Sequence, residues 1–292
     1  MTIRICVIIA TVGRPELVGV TVSRFAQQTR PPDRILVVGA SPGDVQGLDA
    51  LSPAVESILG PRGLPAQRNA GLRHVAGSCD MIVFFDDDYV PAPDYLEQAE
   101  TLLREKPAVV GLTGRLIADG INTHTGYTVE AALSLIDDDP EVGLAGERPV
   151  HSLYGCNMVM RAAALEGLQF DENLPLYGWQ EDIDFTYQLG QRGTLLSVDQ
   201  ARGVHLGVKG GRTSGKRLGY SQVANPLYLL KKRTTPRSLA LKLVTRNLLS
   251  NALGSFGSQT HIDRRGRLAG NMLAIADLLQ GRMHPQRILE LS

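Results

Sequence analysis

The stretch Met-Ile-Val-Phe-Phe-Asp-Asp-Asp at residues 81–88 runs five apolar side chains directly into three carboxylates. A short apolar run of this kind predicts a strand that is buried on both faces. In an open α/β sheet, ligands bind beyond the carboxyl ends of the strands, which is where these acids fall. Adjacent carboxylates repel one another, and a divalent cation with oxygen ligands relieves that repulsion. The alternative interpretation is an acidic loop that faces water.

Apolar runs alternate with helical patterns over most of the chain. The alternation predicts α/β architecture with right-handed crossovers and a mostly parallel sheet that has helices on both faces. Strands are predicted at residues 3–10, 34–38, 55–59, 81–85, 109–117, 155–161 and 194–198, and helices at 16–28, 64–75, 93–106, 162–168 and 181–190. Residues 118–150 lack periodicity and are predicted to form a long surface excursion, either a lid or an acceptor loop. The acids Asp137–Asp139 within it are expected to be solvated.

A second acidic segment, Trp-Gln-Glu-Asp-Ile-Asp, occupies residues 179–184 and contains the only tryptophan. Its acids Glu181, Asp182 and Asp184 fall where a helix is predicted to begin. Acids in a first helical turn also have a structural explanation, because they interact favourably with the helix dipole. His205 follows later in an apolar setting. A lone histidine is more often a packing residue than a ligand, so its case depends on the acids at residues 86–88.

The composition is that of an ordinary globular protein, with 292 residues, 43% hydrophobic and 21% charged. Three widely spaced cysteines form neither a disulfide framework nor a zinc pattern, which favours a reducing compartment. Cys6 and Cys79 are expected to pack as small apolar residues. The apolar run at residues 5–12 is too short for a signal peptide or a membrane span. These features predict a cytoplasmic protein.

The net charge of zero conceals a strong asymmetry between the two parts of the chain. Residues 1–199 contain 14 basic and 27 acidic residues, a net charge of −13, whereas residues 200–292 contain 16 and 3, a net of +13. Helices are predicted in this basic tail at 223–232, 236–253 and 264–279. A basic amphipathic helix is typical of peripheral binding to a membrane surface, here the inner face, or of packing with a solvated basic face. Nucleic-acid binding is disfavoured because the tail has few aromatic residues and no known module.

The segment at residues 210–217, Gly-Gly-Arg-Thr-Ser-Gly-Lys-Arg, nearly spells a phosphate-binding P-loop. That interpretation fails because Arg217 stands where serine or threonine would hold magnesium, and because no strand leads into a helix through it. A glycine-rich loop with Arg212 and Lys216 remains, and it would suit an anionic ligand such as a pyrophosphate. A basic linker without a ligand is the alternative.

At this point the chain resembles the family 2 glycosyltransferases, inverting enzymes of the GT-A fold, over about residues 3–208. The motifs appear in the order that the family carries them. They are the first nucleotide-contacting loop at 10–14, the arginine–asparagine–glycine helix at 63–71, the DxD motif at 86–88, the glutamate–aspartate motif at 178–185 and a late histidine at 205. The resemblance implies a GT-A domain at residues 1–208, followed at 209–292 by a basic loop and a helical extension that associates with a membrane or another copy.

The resemblance also implies roles for single residues. Asp88, with Asp86 and His205, would bind Mn²⁺ or Mg²⁺, and a histidine nitrogen favours manganese. Asp182 would be the general base toward the acceptor hydroxyl, Glu181 would orient the acceptor, and Trp179 would stack on an acceptor sugar. The donor-side residues would be Thr11, Arg14, Arg68, Asp86 and Asp87, with Arg212 and Lys216 near the diphosphate; Asp87 has the weakest claim among the three acids.

The implied reaction moves a sugar from a nucleotide-diphosphate sugar to a saccharide or lipid-linked acceptor, in cell-surface polysaccharide synthesis. The chain departs from the family where the nucleobase would bind. No acid follows the second strand until Asp44, and Val12 stands where an aromatic residue often stacks on the base. UDP is the default carrier. Two alternatives stay open, a nucleotidyltransferase that makes a nucleotide sugar and a non-catalytic protein that binds one; a homo-oligomer through the C-terminal helices is a further alternative.

Overall fold

A computed structural model describes residues 3–51, 54–208, 214–257 and 262–291. Arg212, one of the two loop cations predicted to bind the donor, lies outside these ranges. Within them, contacts divide the chain into two compact units. The first comprises residues 1–62, 66–169 and 188–211, and the second comprises 63–65, 170–187 and 212–292. The predicted domain boundary between residues 208 and 209 stays a prediction.

Within the described residues of the first unit, nine strands form one sheet. In chain order they are β1 (Ile5–Thr11), β2 (Arg34–Gly39), β3 (Glu56–Leu59), β4 (Met81–Asp86), β5 (Tyr89–Pro91), β6 (Val109–Asp119), β7 (Glu147–Pro149), β8 (Asn157–Arg161) and β9 (Thr194–His205). The order across the sheet is β3-β2-β1-β4-β8-β6-β9-β5, and β7 pairs with β9.

Six of these strands, β1, β2, β3, β4, β6 and β9, run in one direction. Strand β8 is antiparallel to both β4 and β6, while β5 and β7 are antiparallel to β9. The sheet is therefore mostly parallel and helices flank it, as the sequence predicts. The carboxyl ends of β4, β6 and β9 consequently point the same way, and this direction is what assembles the candidate site.

The helices of the described chain are α1 (Pro15–Ser23), α2 (Leu64–Val75), α3 (Tyr95–Glu105), α4 (Val129–Asp137), α5 (Glu181–Gly190), α6 (Gly215–Lys232), α7 (Arg237–Gly254) and α8 (Arg264–Leu279). The predicted bounds of α2 and α8 match these ranges. Helix α6 begins at residue 215 instead of 223, and β9 continues to residue 205 instead of ending at 198.

Strand β1 shows why the parallel strands read as continuous apolar runs. Its residues Ile5, Val7 and Ile9 belong to one core with side chains of α1 and α3. Ile8 points to the opposite face, where α2 approaches so closely that a Cβ added at Gly71 would lie 2.6 Å from its Cγ2 atom. Both faces are thus covered, so alternate polar residues would have no water to reach.

The prediction that residues 118–150 form a surface excursion is wrong in part. Strand β6 continues to Asp119, and α4 buries Ala132 and Ile136 against residues of β5 and β9. Asp139, expected to be solvated, is buried and pairs with Arg115 over 2.5 Å. Two arginines, on the neighbouring strands β6 and β9, pair with this acid. The sequence alone does not show that these positions meet.

The expectation that Cys6 and Cys79 pack as unbonded apolar residues is also wrong, because a disulfide joins them. Cys6 lies on β1, and Cys79 comes two residues before β4, the parallel neighbour of β1. Their Cα atoms are 5.9 Å apart, which is within the range for disulfides. The cysteine pattern therefore no longer argues for a reducing compartment, and a cytoplasmic location stays a prediction.

The second unit contains α6, α7 and α8 together with residues 170–187. Helices α6 and α8 meet at Gly219 and Gly270. A Cβ added at Gly219 would lie 2.0 Å from the carbonyl oxygen of Arg267, so these helices pack backbone to backbone. Beside this contact, the buried amide of Asn251 donates to Gln222 and to Asn271 over 2.8 and 2.9 Å. None of the described helices is both long enough and apolar enough to cross a bilayer.

The disulfide predicts the number of reactive thiols. When the protein is denatured without reductant and alkylated, mass spectrometry should find one modified cysteine, Cys156, which is not part of the disulfide. After reduction all three cysteines of the chain should react. Reduction should also lower the melting temperature, because a crosslink between residues 73 positions apart restricts the unfolded chain and contributes about 2–4 kcal/mol.

The matched control is Cys156→Ser, which should leave no reactive thiol before reduction. Three alkylated cysteines in the unreduced wild type would show that the bond does not form.

Candidate active site

The three acids Asp86–Asp88 lie where the chain passes from β4 to β5. Asp86 is the last residue of β4, and β5 begins at Tyr89. Tyr89 pairs with His205, the last residue of β9, and the amide of Leu206 donates to the carbonyl of Asp88 over 2.8 Å. The turn therefore sits at the carboxyl ends of β4 and β9, as expected for a ligand site in a sheet of this kind.

Asp86, Asp88 and His205 form a group that could hold a metal ion. One ligand atom from each lies within 4.8 Å of the others, and Nε2 of His205 is 3.3 Å from Oδ1 of Asp88. Two carboxylates and an imidazole are a donor set that suits a divalent transition metal. The predicted metal ligands are thus brought together, and the residues present fit such an ion.

A fourth acid, Asp119, holds the histidine from behind, and the sequence prediction missed it. Nδ1 of His205 is 2.8 Å from Oδ1 of Asp119, whose Oδ2 accepts a hydrogen bond from the Tyr154 hydroxyl over 3.0 Å. Residues 119 and 205 are register partners at the ends of β6 and β9. The signal that identifies Asp86, an acid at the carboxyl end of a strand, applies to Asp119 as well. Asp119 does not show that signal when the strand is predicted to end at residue 117.

The electrostatics of this group show strong coupling between the histidine and its acids. Burial lowers the pKa of His205, but hydrogen bonds to Asp119 and Asp88 and the negative charge of Asp86 outweigh burial and raise that pKa to about 10. Burial favours the neutral form of Asp88, yet the hydrogen bond and charge of His205 keep the pKa of this carboxyl below its usual value. A proton on His205 therefore balances the negative charge of these acids.

Asp87, which the sequence assigned the weakest claim of the three acids, is buried and clamped. Its carboxylate accepts hydrogen bonds from Thr11 over 2.7 Å and from Arg14 over 2.9 Å, and its carbonyl accepts one from Thr21. Burial raises the pKa of Asp87 to about 6, against the opposing charge of Arg14. Thr11 and Arg14 thus contact the acidic turn directly, which places these predicted donor-side residues beside the predicted metal ligands.

Arg68 reaches the same turn from α2. Although it is among the largest fully buried side chains, its guanidinium donates to Asp86 over 2.9 Å and to the carbonyl of Gly155 over 2.7 Å. The guanidinium also lies over the ring of Phe84, 5.5 Å from its centroid. A buried arginine needs such partners because an unpaired charge is costly in the interior.

Asp44, the first acid after β2, is occupied by the loops around it. Its carboxylate accepts from the amides of Gly13, Ala40 and Ser41 over 2.6, 3.0 and 2.7 Å, and from the Ser41 hydroxyl over 3.0 Å. Three of these donors bind Oδ2 and the fourth, the Gly13 amide, binds Oδ1, so both carboxylate oxygens are engaged. Asp44 therefore joins the loop after β1 to the loop after β2.

The second acidic segment belongs to the second unit and starts α5. The carbonyl of Trp179 accepts a hydrogen bond from Asn225 of α6 over 2.7 Å. The carboxylate of Asp184 is fully buried, with Lys232 at 2.7 Å and Thr234 at 2.6 Å. Asp184 thus fixes the start of α5, whereas Asp182 is only half-buried. Lys216 lies in the first turn of α6 in this unit.

Gln180, between Trp179 and Glu181, is a buried residue of an unusual kind. Its backbone is left-handed, with φ at 74°, and the side chain is 7% exposed. Neither atom of its amide has a hydrogen-bond partner among the described residues. Strain and an unpaired buried polar group each cost free energy, and such costs concentrate at ligand sites. The sequence carries no signal for either feature.

Comparison with known proteins gives a family and a fold. A family model described as "Glycosyl transferase family 2" matches residues 6–168, more than half of the chain. No curated protein matches. The solved structure "Crystal structure of GalNAc-T7 with UDP, GalNAc and Mn2+" is similar, with 13% identity and a TM-score of 0.54, covering 77% of this chain and 50% of that one.

A second similar structure is TarS of S. aureus, with 16% identity and a TM-score of 0.53, covering 87% of this chain and 44% of that one. This chain thus spans about half, or less, of the structures that it matches. At these identities the likeness shows the shared fold.

Replacing glutamine by leucine should change the free energy of unfolding differently at the two buried positions Gln67 and Gln180. Gln67→Leu should lower the free energy of unfolding by about 1–3 kcal/mol, since the Gln67 amide donates to the carbonyls of Thr11 and Val38, which would lose their partner. Gln180→Leu removes an amide that has no partner, so the free energy of unfolding should stay within about 0.5 kcal/mol of wild type or rise.

Both values come from urea unfolding followed by circular dichroism. The two sites are matched, since Gln67 is 2% exposed and Gln180 is 7% exposed. A loss at Gln180→Leu as large as that at Gln67→Leu would mean that the Gln180 amide contributes to folding.

Proposed function

Because this chain belongs to glycosyl transferase family 2, we propose that it moves a sugar, with inversion, from a nucleotide-diphosphate sugar to a hydroxyl of a saccharide or lipid-linked acceptor. The chain is a glycosyltransferase, and the proposal concerns metal, donor, acceptor and pathway. It rests above all on one observation, the assembly of Asp86, Asp88 and His205 at the carboxyl ends of β4 and β9. Synthesis of a cell-surface polysaccharide is the process that we propose for it.

Asp86, Asp88 and His205 would hold Mn²⁺ or Mg²⁺, and the imidazole favours Mn²⁺. The similar GalNAc-T7 structure contains Mn²⁺ and UDP, which agrees with that preference. When bound, the ion would supply charge stabilisation to the departing diphosphate without a proton donor. Asp119 would keep the His205 ring oriented, so that Nε2 rather than Nδ1 faces the ion.

On the acceptor side, we assign the general base to Asp182. A base must take the proton of the acceptor hydroxyl as the new bond forms, and such a group contributes about 10²–10⁴-fold. Asp184 is the poorer candidate because Lys232 and Thr234 bind its two carboxylate oxygens. Glu181 and Trp179 are proposed to bind the acceptor, and the unpaired amide of Gln180 suits the same role.

On the donor side, Arg68, Arg14 and Thr11 are proposed to position the diphosphate and ribose around the acidic turn. In the metal-free structure their polar groups contact Asp86 and Asp87. Arg212 and Lys216 are proposed to meet the diphosphate, with Lys216 placed in the first turn of α6 and not in a loop as the sequence predicts. UDP is the proposed carrier, although donors of the two loops already engage both carboxylate oxygens of Asp44.

Asp182→Asn tests the proposed chemistry. A panel of UDP-, GDP- and dTDP-sugars with Mn²⁺ first identifies the donor by its metal-dependent hydrolysis. With that donor, Asp182→Asn should reduce turnover about 10²–10⁴-fold while nucleotide binding, measured by calorimetry, stays within about twofold, since the base acts on the acceptor. The control Asp184→Asn should instead lower the melting temperature, because it removes the fully buried charge that pairs with Lys232.

Loss of nucleotide binding together with turnover in Asp182→Asn would reassign this residue to a structural or metal role. Absence of both hydrolysis and metal-dependent nucleotide binding across the panel would contradict the proposed function itself.

Asp119→Leu tests the support of His205. Removing a carboxylate that orients a metal-binding histidine typically weakens metal affinity about 10–100-fold. We expect that loss for Mn²⁺, measured by calorimetry and by electron paramagnetic resonance of the free ion, without any donor present. Asp137→Asn, which neutralises an exposed acid at the end of α4, is the matched control and should bind Mn²⁺ as wild type does. Equal affinity in both variants would remove Asp119 from the metal site.

A further inference from the structure

Helix α7 turns a row of large apolar side chains to the solvent. Leu241, Leu249, Leu253 and Phe256, the last just beyond the helix end, are all exposed, and Leu253 and Phe256 reach 74% and 89%. With Thr245 they are spaced by three or four residues, which puts them on one face. The opposite face, with Ala240 and Asn251, is buried within the second unit. Helix α7 therefore has an inner face that is packed within the second unit and an outer apolar face that is exposed.

Helix α8 extends this apolar surface. Its exposed Met272 lines, together with Leu268, Ala269 and Phe256, a groove of about 480 Å³ between the end of α7 and α8. Leu279 lies two helical turns after Met272 on the same face of α8 and is 83% exposed. We call the exposed leucines of α7, together with Phe256, Leu268 and Met272, the outer surface of the second unit. Contiguous apolar surface of this kind marks a site of contact with a protein or a membrane.

The charges of α7 beside the outer surface have one sign. Lys242 and Arg246 flank the apolar row on the exposed face of α7, and within the described residues neither forms an ion pair. Residues 214–257 contain eight lysines and arginines and no aspartate or glutamate. An apolar row bordered by unpaired cations is complementary to a surface that is negative outside and apolar beneath.

We propose that the outer surface docks on a bilayer that contains anionic phospholipid. Leu249, Leu253 and Phe256 enter the boundary between headgroups and acyl chains, while Lys242 and Arg246 stay at the level of the phosphates. Helix α7 then lies in the plane of the membrane, in keeping with the lack of a described helix that could cross it. The proposal is independent of sugar transfer, because it concerns neither the donor nor the acceptor.

A second copy of the chain is the competing occupant, and the charges disfavour it. In a two-fold symmetric dimer the same patch faces itself, so the cations of α7 would approach the cations of the partner helix. No acid in residues 214–257 is available to separate them. An anionic bilayer meets the same cations with opposite charge, and each basic residue near such a surface strengthens binding about fivefold.

Vesicle flotation tests the proposal with the full-length protein and no substrate. Wild type should float with vesicles of phosphatidylcholine and phosphatidylglycerol, much less with phosphatidylcholine alone, and less as salt increases. The double variant Lys242→Gln/Arg246→Gln should bind anionic vesicles about 30-fold more weakly. The double variant Leu253→Gln/Phe256→Gln should bind anionic vesicles more than about tenfold more weakly, because two apolar side chains no longer enter the bilayer.

The control Val142→Gln/Leu144→Gln changes two exposed apolar residues of the first unit, and it should bind as wild type does. Melting temperatures check that every variant is folded, which the exposure of the altered side chains favours. Undiminished vesicle binding by Leu253→Gln/Phe256→Gln would overturn the proposal. The proposal would also be overturned if the wild type bound neither kind of vesicle and sedimented as a dimer, while Leu253→Gln/Phe256→Gln sedimented as a monomer.

Discussion

The structure depends on how three consecutive carboxylates are compensated at the end of a buried strand. Each acid has a cationic partner, and the three partners come from different parts of the chain. Asp86 is paired with Arg68 of α2, Asp87 with Arg14 of the loop after β1, and Asp88 with His205 at the end of β9. Repulsion between neighbouring acids thus becomes a reason for distant segments to converge on one turn. The candidate site and the register of the sheet are specified by the same contacts.

This compensation also defines what a metal ion would change. In the metal-free protein a proton on His205 and the guanidinium of Arg68 balance the acids, and the pKa of His205 is raised to about 10 for that reason. A divalent ion would replace the proton and take over part of the role of Arg68. Asp86 therefore belongs both to the group that could hold the ion and to the ion pair with Arg68.

Much of this could be predicted from the sequence. Apolar runs locate the parallel strands, α2 was predicted at its observed bounds, and the acids with His205 were predicted to meet. What failed depends on register, which periodicity does not contain. Cys6 and Cys79 pair because β1 lies beside β4, and Asp119 meets His205 because β6 and β9 end together. Asp139 is buried because arginines of β6 and β9 pair with it. The strained backbone of Gln180 has no residue-type signature, since glycine or asparagine normally occupies such positions.

The hydrogen bonds that Asp44 accepts separate two properties that usually change together. One carboxylate fastens the loop after β1 to the loop after β2, so it cannot be exchanged without loosening both. Positions such as Val12, by contrast, have side chains that the fastening does not use. Selection can therefore change such a side chain while the loop framework stays intact. A chain built in this way can vary the surface of its loops over evolutionary time at little risk to its fold.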